Sequence, residues 1–155
     1  MNLEKSILAN KVLQYDAVML RVLSEPEPQH LHAQLLHIYS ARKGMAHCQP
    51  GDKIRFLQAP NSWGAVPMVP GETAIVFLTL SADQFYEAPW QGHLIIEDIE
   101  GKPFASFPHR ELWLSENLPP SVCSQTRQDP KRTYASAMAL APFEDYLHQL
   151  IAYHS

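Results

Sequence analysis

The chain has 155 residues, of which 46% are hydrophobic and 18% are charged, and its formal net charge is −4. This length and composition fit one globular domain spanning residues 1–155, which can bury about 70% of its unfolded surface. The acidic balance excludes the basic footprint that general attraction to nucleic acid or to an anionic membrane requires, so neither is the expected partner.

The cysteines and the amino terminus indicate the cellular compartment. Cys48 and Cys123 are far apart in the sequence, and thiols in a chain without an export signal are expected to stay reduced, although the sequence leaves their pairing open. No stretch reaches the roughly 18 apolar residues of a membrane span. The sequence therefore predicts a cytoplasmic protein, or a secreted one if a leader has been removed, of undetermined oligomeric state.

The first part of the chain predicts a short helix followed by strands. Residues 3–13 have apolar positions near helical spacing, and residues 16–23 predict a strand that ends at Pro26 and Pro28, which cannot donate to a ladder. A second strand is predicted over residues 30–42. Its alternation assigns Leu31, Ala33, Leu35 and Tyr39 to one face and His30, His32, Gln34 and Ile38 to the other.

The middle of the chain contains the clearest fold signal. Residues 53–58 predict a third strand and residues 59–69 a loop, and the turn at Pro70-Gly71 leads into Glu72-Thr73-Ala74-Ile75-Val76-Phe77-Leu78-Thr79-Leu80. A continuous apolar run implies burial on both faces, because a strand with one wet face alternates. This run therefore predicts a central strand.

The last third predicts a hairpin, a polar strap and a helix. Residues 82–91 are interpreted as a connector, and the strands 92–99 and 102–107 form a hairpin closed by Glu100-Gly101. Residues 115–132 predict a polar strap. A helix is predicted over about 141–153, with Pro142 at its first position, Glu144 and Asp145 in the first turn, and an apolar stripe that packs on the β domain.

The order of these segments from Asp16 to Leu80 resembles a known family. The segment Pro50-Gly51-Asp52-Lys53-Ile54-Arg55-Phe56 is followed, after a loop, by Pro70-Gly71-Glu72 and a strand through Phe77-Leu78. This pattern resembles the bacterial relatives of netrin-like and tissue-inhibitor-of-metalloproteinase domains. The resemblance implies an OB-type barrel of five or six strands with a terminal helix. Together with the segments described above, the sequence predicts a mainly β fold with a barrel core over 16–114, a short amino-terminal helix and a carboxy-terminal amphipathic helix.

The chain departs from that family where the family's activity is concerned. It lacks the disulfide framework of the secreted members and an exposed amino-terminal cysteine that could chelate a protease metal. Inhibition of metalloproteinases is therefore not an implied function, and a fold alone does not specify an activity.

Two pairs of residues are candidates for metal binding or catalysis. His30 and His32 lie two apart on one strand and can contribute imidazole ligands if further ligands converge, which makes them a weak metal site. His109 and Glu111 are the best available acid and base for a small metal-dependent or Cys/His hydrolase. No compact ligand or nucleophile motif accompanies either pair, so no cofactor is predicted and a non-catalytic role is favoured.

Aromatic side chains near the loops are the main candidates for ligand binding. The predicted binding residues are Trp63, Met68, Phe85, Tyr86 and Trp90. Rings on the loops of an OB barrel can stack on bases or bind peptide side chains, although Asp83 and Glu87 would repel phosphate. The sequence therefore predicts a module that binds a protein or peptide, with a single-stranded oligonucleotide-binding barrel as the alternative; the same rings could instead cap the barrel.

Overall fold

A computed structural model describes residues 7–42, 44–59, 67–89, 92–107, 122, 126–128 and 136–154. These residues form two α-helices, one 3₁₀ turn at Met45–His47 and nine strands. The helices are α1 (Ile7–Gln14) and α2 (Leu140–Tyr153). The strands are β1 (Asp16–Glu27), β2 (His30–Ile38), β3 (Lys53–Leu57), β4 (Thr73–Ser81), β5 (Gln84–Glu87), β6 (His93–Ile99), β7 (Lys102–Phe107), β8 (Thr126–Gln128) and β9 (Ser136–Ala139).

Five of the strands close into a barrel in the order β1-β2-β3-β5-β4, with β4 paired back onto β1. The β1–β4 contact is antiparallel and runs from Asp16↔Leu78 to Arg21↔Thr73, whereas β3 and β5 pair in parallel. A barrel of five strands with this mixed pairing confirms the prediction of a mainly β, OB-like fold.

The remaining strands extend the sheet beyond the barrel. Phe77 accepts a hydrogen bond from the amide of Ala88 and donates one to the carbonyl of Gly92, so the chain leaves the β4 ladder after Ala88 and rejoins it at Gly92. The strand β6 then pairs with β4, and β7, β9 and β8 follow in that spatial order. The predicted hairpin is confirmed as β6–β7, and its turn places Glu100 at φ 55° and Gly101 at φ 82°, as a two-residue hairpin turn requires.

The strand β4 separates two hydrophobic cores. Ala74, Val76 and Leu78 contribute to the barrel interior, whereas Ile75 and Phe77 lie in a second core that includes residues of both helices. The predicted burial on both faces is therefore confirmed for residues 74–78, whereas Leu80 at the end of the run is 40% exposed. The stripe of α2 packs on the sheet as expected. Helices in the described ranges are too short and too polar to cross a membrane.

A β-bulge changes the face assignment predicted for β2. Leu20 pairs with Leu35 but Met19 pairs with His37, which leaves Leu36 as an extra residue. The alternation therefore reverses: Leu31, Ala33 and Leu35 face the barrel interior as predicted, whereas Tyr39 lies in the core beneath the helices. The prediction that Tyr39 shares their face is wrong for this reason.

Other segment boundaries also differ from the predictions. The strand β1 continues through Pro26, because that residue falls in an irregular stretch of the ladder between Ser24↔His32 and Glu27↔His30. The predicted connector over 82–91 contains β5, and the strap over 115–132 contains β8. The helix α2 begins at Leu140, so Pro142 is its third residue and Glu144 lies beyond the first turn.

Candidate ligand-binding face

The structure separates the aromatic residues predicted to bind a ligand. Met68 is 1% exposed and lies in the barrel core, and Phe85 packs partly against the same core. Tyr86, the next residue along β5, is 37% exposed because successive side chains of a strand point to opposite faces. Trp63 and Trp90 lie outside the described residues.

The histidines predicted as a weak metal site remain on one outer face of β2. His32 is exposed and His30 is half-buried, with its Nε2 atom 3.8 Å from a carboxylate oxygen of Glu27. Among the described residues, His, Cys, Asp and Glu form no cluster of three that could hold a metal ion. A third ligand for these histidines is therefore not present in those ranges.

Of the residues considered for the hydrolase alternative, the structure describes only the thiol of Cys48. Cys48 is a free, half-buried thiol that packs against the barrel core, and burial, reinforced by Asp52, raises its pKa. A raised pKa reduces the thiolate fraction that a nucleophile needs. Cys123, His109 and Glu111 lie outside the described residues.

Strand pairing brings together an outward surface that differs from the loop surface predicted from the sequence. We define the open face as the outward side chains that the registers of β1, β2, β3 and β5 bring together: Arg21, Ser24, Glu27, His30, His32, Gln34, Lys53, Arg55, Leu57 and Tyr86. One row of cross-strand neighbours is Arg21–Gln34–Lys53, and another contains His30, Leu57 and Tyr86. Residues in such a row have Cβ atoms about 5 Å apart and act on a ligand together.

The open face has mixed charge in which cations outnumber carboxylates. Arg21, Lys53 and Arg55 are exposed, and the one carboxylate of the defined set, Glu27, lies 3.7 Å from Arg55. Glu25, at the hairpin end, instead accepts a hydrogen bond from the Gln29 amide. The cationic side chains therefore form a local positive surface on a chain whose net charge is −4.

Two of the connections next to the open face, the β1–β2 and β4–β5 turns, are short. The β1–β2 turn consists of Pro28 and Gln29. The β4–β5 turn consists of Ala82 and Asp83, and each of these two residues has a positive φ. Two-residue turns leave no chain to fold over the sheet surface. The described helices pack against the outward side of Ile75 and Phe77 instead, so α1 and α2 leave the open face uncovered.

A buried polar cluster lies directly behind Tyr86. The carboxylate of Glu87 accepts hydrogen bonds from the Ala59 amide at 3.0 Å and from Nδ1 of His93 at 2.5 Å. Lys11 donates to the carbonyl of Pro89 at 2.5 Å; burial lowers the pKa of this lysine, and the charge of Glu87 opposes that shift. This cluster ties β5 to the end of β3 and to the start of β6.

Sequence reasoning missed the cationic residues because their proximity depends on register. Lys53 and Arg55 alternate with Ile54 and Phe56, which signals one wet face of β3, but nothing local shows that Arg21 is two strands away. No known protein family matches the chain, and neither a curated protein nor a solved structure is significantly similar to it.

Proposed function

We propose that the chain is a non-catalytic binding module that holds a protein or peptide partner on the open face. The observation that carries this proposal is the exposed ring of Tyr86, which lies between the half-buried Leu57 on β3 and Thr79 on β4, on the face that also carries Arg55. An aromatic anchor with a polar rim is the usual anatomy of a protein interface, and tyrosine is enriched among the residues that dominate binding energy.

The charges of the open face indicate the chemistry of the partner. Arg21, Lys53 and Arg55 favour a segment that carries carboxylates, because complementary charge speeds association and disfavours basic competitors. Glu27 provides a local acceptor for a cationic side chain of the same partner. The expected partner is an acidic segment with an apolar side chain that packs on Tyr86.

Matched tyrosine variants test this proposal. Affinity capture from cells should recover a partner with the wild-type chain and with Tyr153→Ala, which removes a ring that is 50% exposed on α2. The same partner should be lost with Tyr86→Ala and weakened by Arg55→Glu. Retention of every captured protein by both Tyr86→Ala and Arg55→Glu would remove the open face as the binding surface.

The same surface favours a second candidate, binding of single-stranded oligonucleotides. OB barrels bind oligonucleotides on the face of their second and third strands, and here that face combines Lys53 and Arg55 with a ring on which a base can stack. The test is fluorescence anisotropy with labelled oligothymidylate and oligouridylate at low salt. Salt-sensitive binding that Tyr86→Ala weakens would support this candidate, and no binding at low salt would eliminate it.

A further inference from the structure

The contact between β3 and β5 is the shortest part of the barrel wall. It consists of two pairs, Phe56↔Phe85 and Leu57↔Tyr86, whereas β1 and β4 pair over six residues. Parallel pairing is also slightly less stable per residue than antiparallel pairing. We call this contact the β3–β5 seam, and its opening would separate the walls of the barrel.

One carboxylate extends the seam beyond these two pairs. The side chain of Glu87 is 3% exposed, and its two oxygens accept hydrogen bonds from the amide of Ala59, after β3, and from Nδ1 of His93, at the start of β6. Hydrogen bonds to an ionised acceptor are roughly twice as strong as neutral ones. The carboxylate therefore fastens β5 to β3 where the backbone pairing ends.

The environment of Glu87 depends on its negative charge. Among the described residues, Nδ1 of His93 on β6 contacts this carboxylate, and the charge of Lys11 on α1 is close enough to interact with it. If the carboxylate were neutral, the buried ammonium of Lys11 would lose its nearby counter-charge, which is costly inside a protein. The packing is also tight, since a Cβ atom at Gly92 would lie 2.8 Å from Oε2 of Glu87.

We propose that the barrel opens at the β3–β5 seam and that the carboxylate of Glu87 keeps the seam closed. Opening would separate Leu57 from Tyr86 and dismantle that row of the open face, so loss of this carboxylate would release the partner. The release of a partner rests on the proposed function, whereas the opening of the seam is a property of the chain alone. Glu87 acts as a positioning residue for Tyr86.

Hydrogen exchange of the intact chain, followed by mass spectrometry and corrected for intrinsic rates, tests the proposal. In Glu87→Gln, we expect amides of residues 54–59 and 84–88 to exchange roughly ten- to hundredfold faster, as loss of a charged hydrogen bond predicts. Amides of residues 17–22 and 31–35 should keep their wild-type rates.

The matched control is Glu97→Gln, which neutralises another buried carboxylate on β6 and should leave the seam unchanged. Equal acceleration at the seam and in β1–β2, or no acceleration at the seam, would overturn the proposal. If Glu87→Gln does not fold, exchange of the wild-type chain at increasing urea concentrations below the unfolding transition decides: simultaneous acceleration everywhere contradicts a seam that opens first. Retention of the captured partner by both Tyr86→Ala and Arg55→Glu would refute the binding face without altering these exchange rates.

Discussion

Asp16 illustrates how a single buried carboxylate fixes a turn of this barrel. It has no exposed surface, and its two oxygens accept hydrogen bonds from the amides of Arg42 at 2.6 Å and Met45 at 3.1 Å. These amides follow β2, so the first residue of β1 anchors the chain on its way to the 3₁₀ turn. A charged acceptor that bonds two backbone donors contributes more than a neutral one.

Replacement of Asp16 should therefore be destabilising even when the shape is conserved. In Asp16→Asn, the amide group can accept one hydrogen bond but presents a donor to the other amide, so we expect a loss of about 1.5–3 kcal/mol. Urea denaturation measures this change. The control Asp98→Asn, at an exposed position of β6, should stay within about 0.5 kcal/mol of the wild type, and equal effects of the two variants would contradict the anchoring role.

A second prediction concerns the phenol of Tyr39, whose pKa depends on its contact with Glu144 of α2. Burial raises the pKa of this phenol, and the hydrogen bond to Glu144 and the charge of that carboxylate raise it further. The folded state therefore favours the protonated phenol. The resulting contribution to the free energy of unfolding is fully present below the pKa that tyrosine has in the unfolded chain, and it decreases as the pH rises from there towards the higher pKa of the folded state.

Ultraviolet titration of the tyrosines should resolve Tyr39 as a late-ionising group. The late transition should be absent in Tyr39→Phe and should move to lower pH in Glu144→Gln, because the carboxylate no longer opposes the phenolate. An unchanged titration in Glu144→Gln would show that burial alone raises the pKa.

At the scale of the element, the bulge at Leu36 determines which side chains of β2 reach each core. Before it, Leu35 faces the barrel interior, and after it, Tyr39 faces the helices. A one-residue change in register moves every following side chain to the opposite face. The bulge therefore allows one strand to contribute to both cores.

Deletion of Leu36 should disrupt this arrangement. The deletion would turn Ile38 and Tyr39 to the wrong faces, and we expect a loss of more than about 3 kcal/mol, the scale of removing large core side chains. Leu36→Ser keeps the chain length and replaces a side chain that is 42% exposed, so its effect should be within about 0.5 kcal/mol. Denaturant midpoints that are equal for the two variants would contradict the role of the bulge.

The elements differed in how much of them the sequence revealed. The continuous run of β4 predicted its burial on both faces, and the Glu100-Gly101 turn predicted the β6–β7 hairpin, because each signal is local. The four residues of β5 carry no comparable pattern, and their pairing depends on β3 and β4. The bulge at Leu36 was equally invisible, since it is defined by the partner strand.

The candidate face shows the same limit. The sequence indicated Tyr86 and the histidines of β2 as candidates, but it grouped Tyr86 with loop residues. Arg21, Gln34 and Lys53 become neighbours only through two strand registers. Pairing between distant segments is what periodicity within one segment cannot encode.

At the scale of the whole molecule, the two sides of the barrel have different roles. On one side, α1 and α2 cover the outward residues of β4, and Arg42 donates to the carbonyls of Val12 and His154 near the ends of the two helices. On the other side, neither α1 nor α2 covers the open face.

The closed wall of the barrel also sets the order in which the chain can assemble. β1 and β2 are joined by a two-residue turn, whereas barrel closure brings Asp16 beside Leu78. Loop-closure entropy must be overcome before such distant pairs stabilise one another. Pulse-labelling during refolding should therefore show protected amides in the β1–β2 hairpin before those of the β1–β4 contact, and simultaneous protection would contradict this order.

Late closure has a consequence for the growing chain on the ribosome. Until Thr73–Ser81 has emerged, the strand β1 has no partner on one edge and the apolar interior of the sheet is exposed. Such an intermediate is prone to aggregation, and Pro26 and the neighbouring glutamates in the last part of β1 are the kind of residues that discourage edge-to-edge association. The irregular end of β1 can thus protect the nascent chain before the barrel exists.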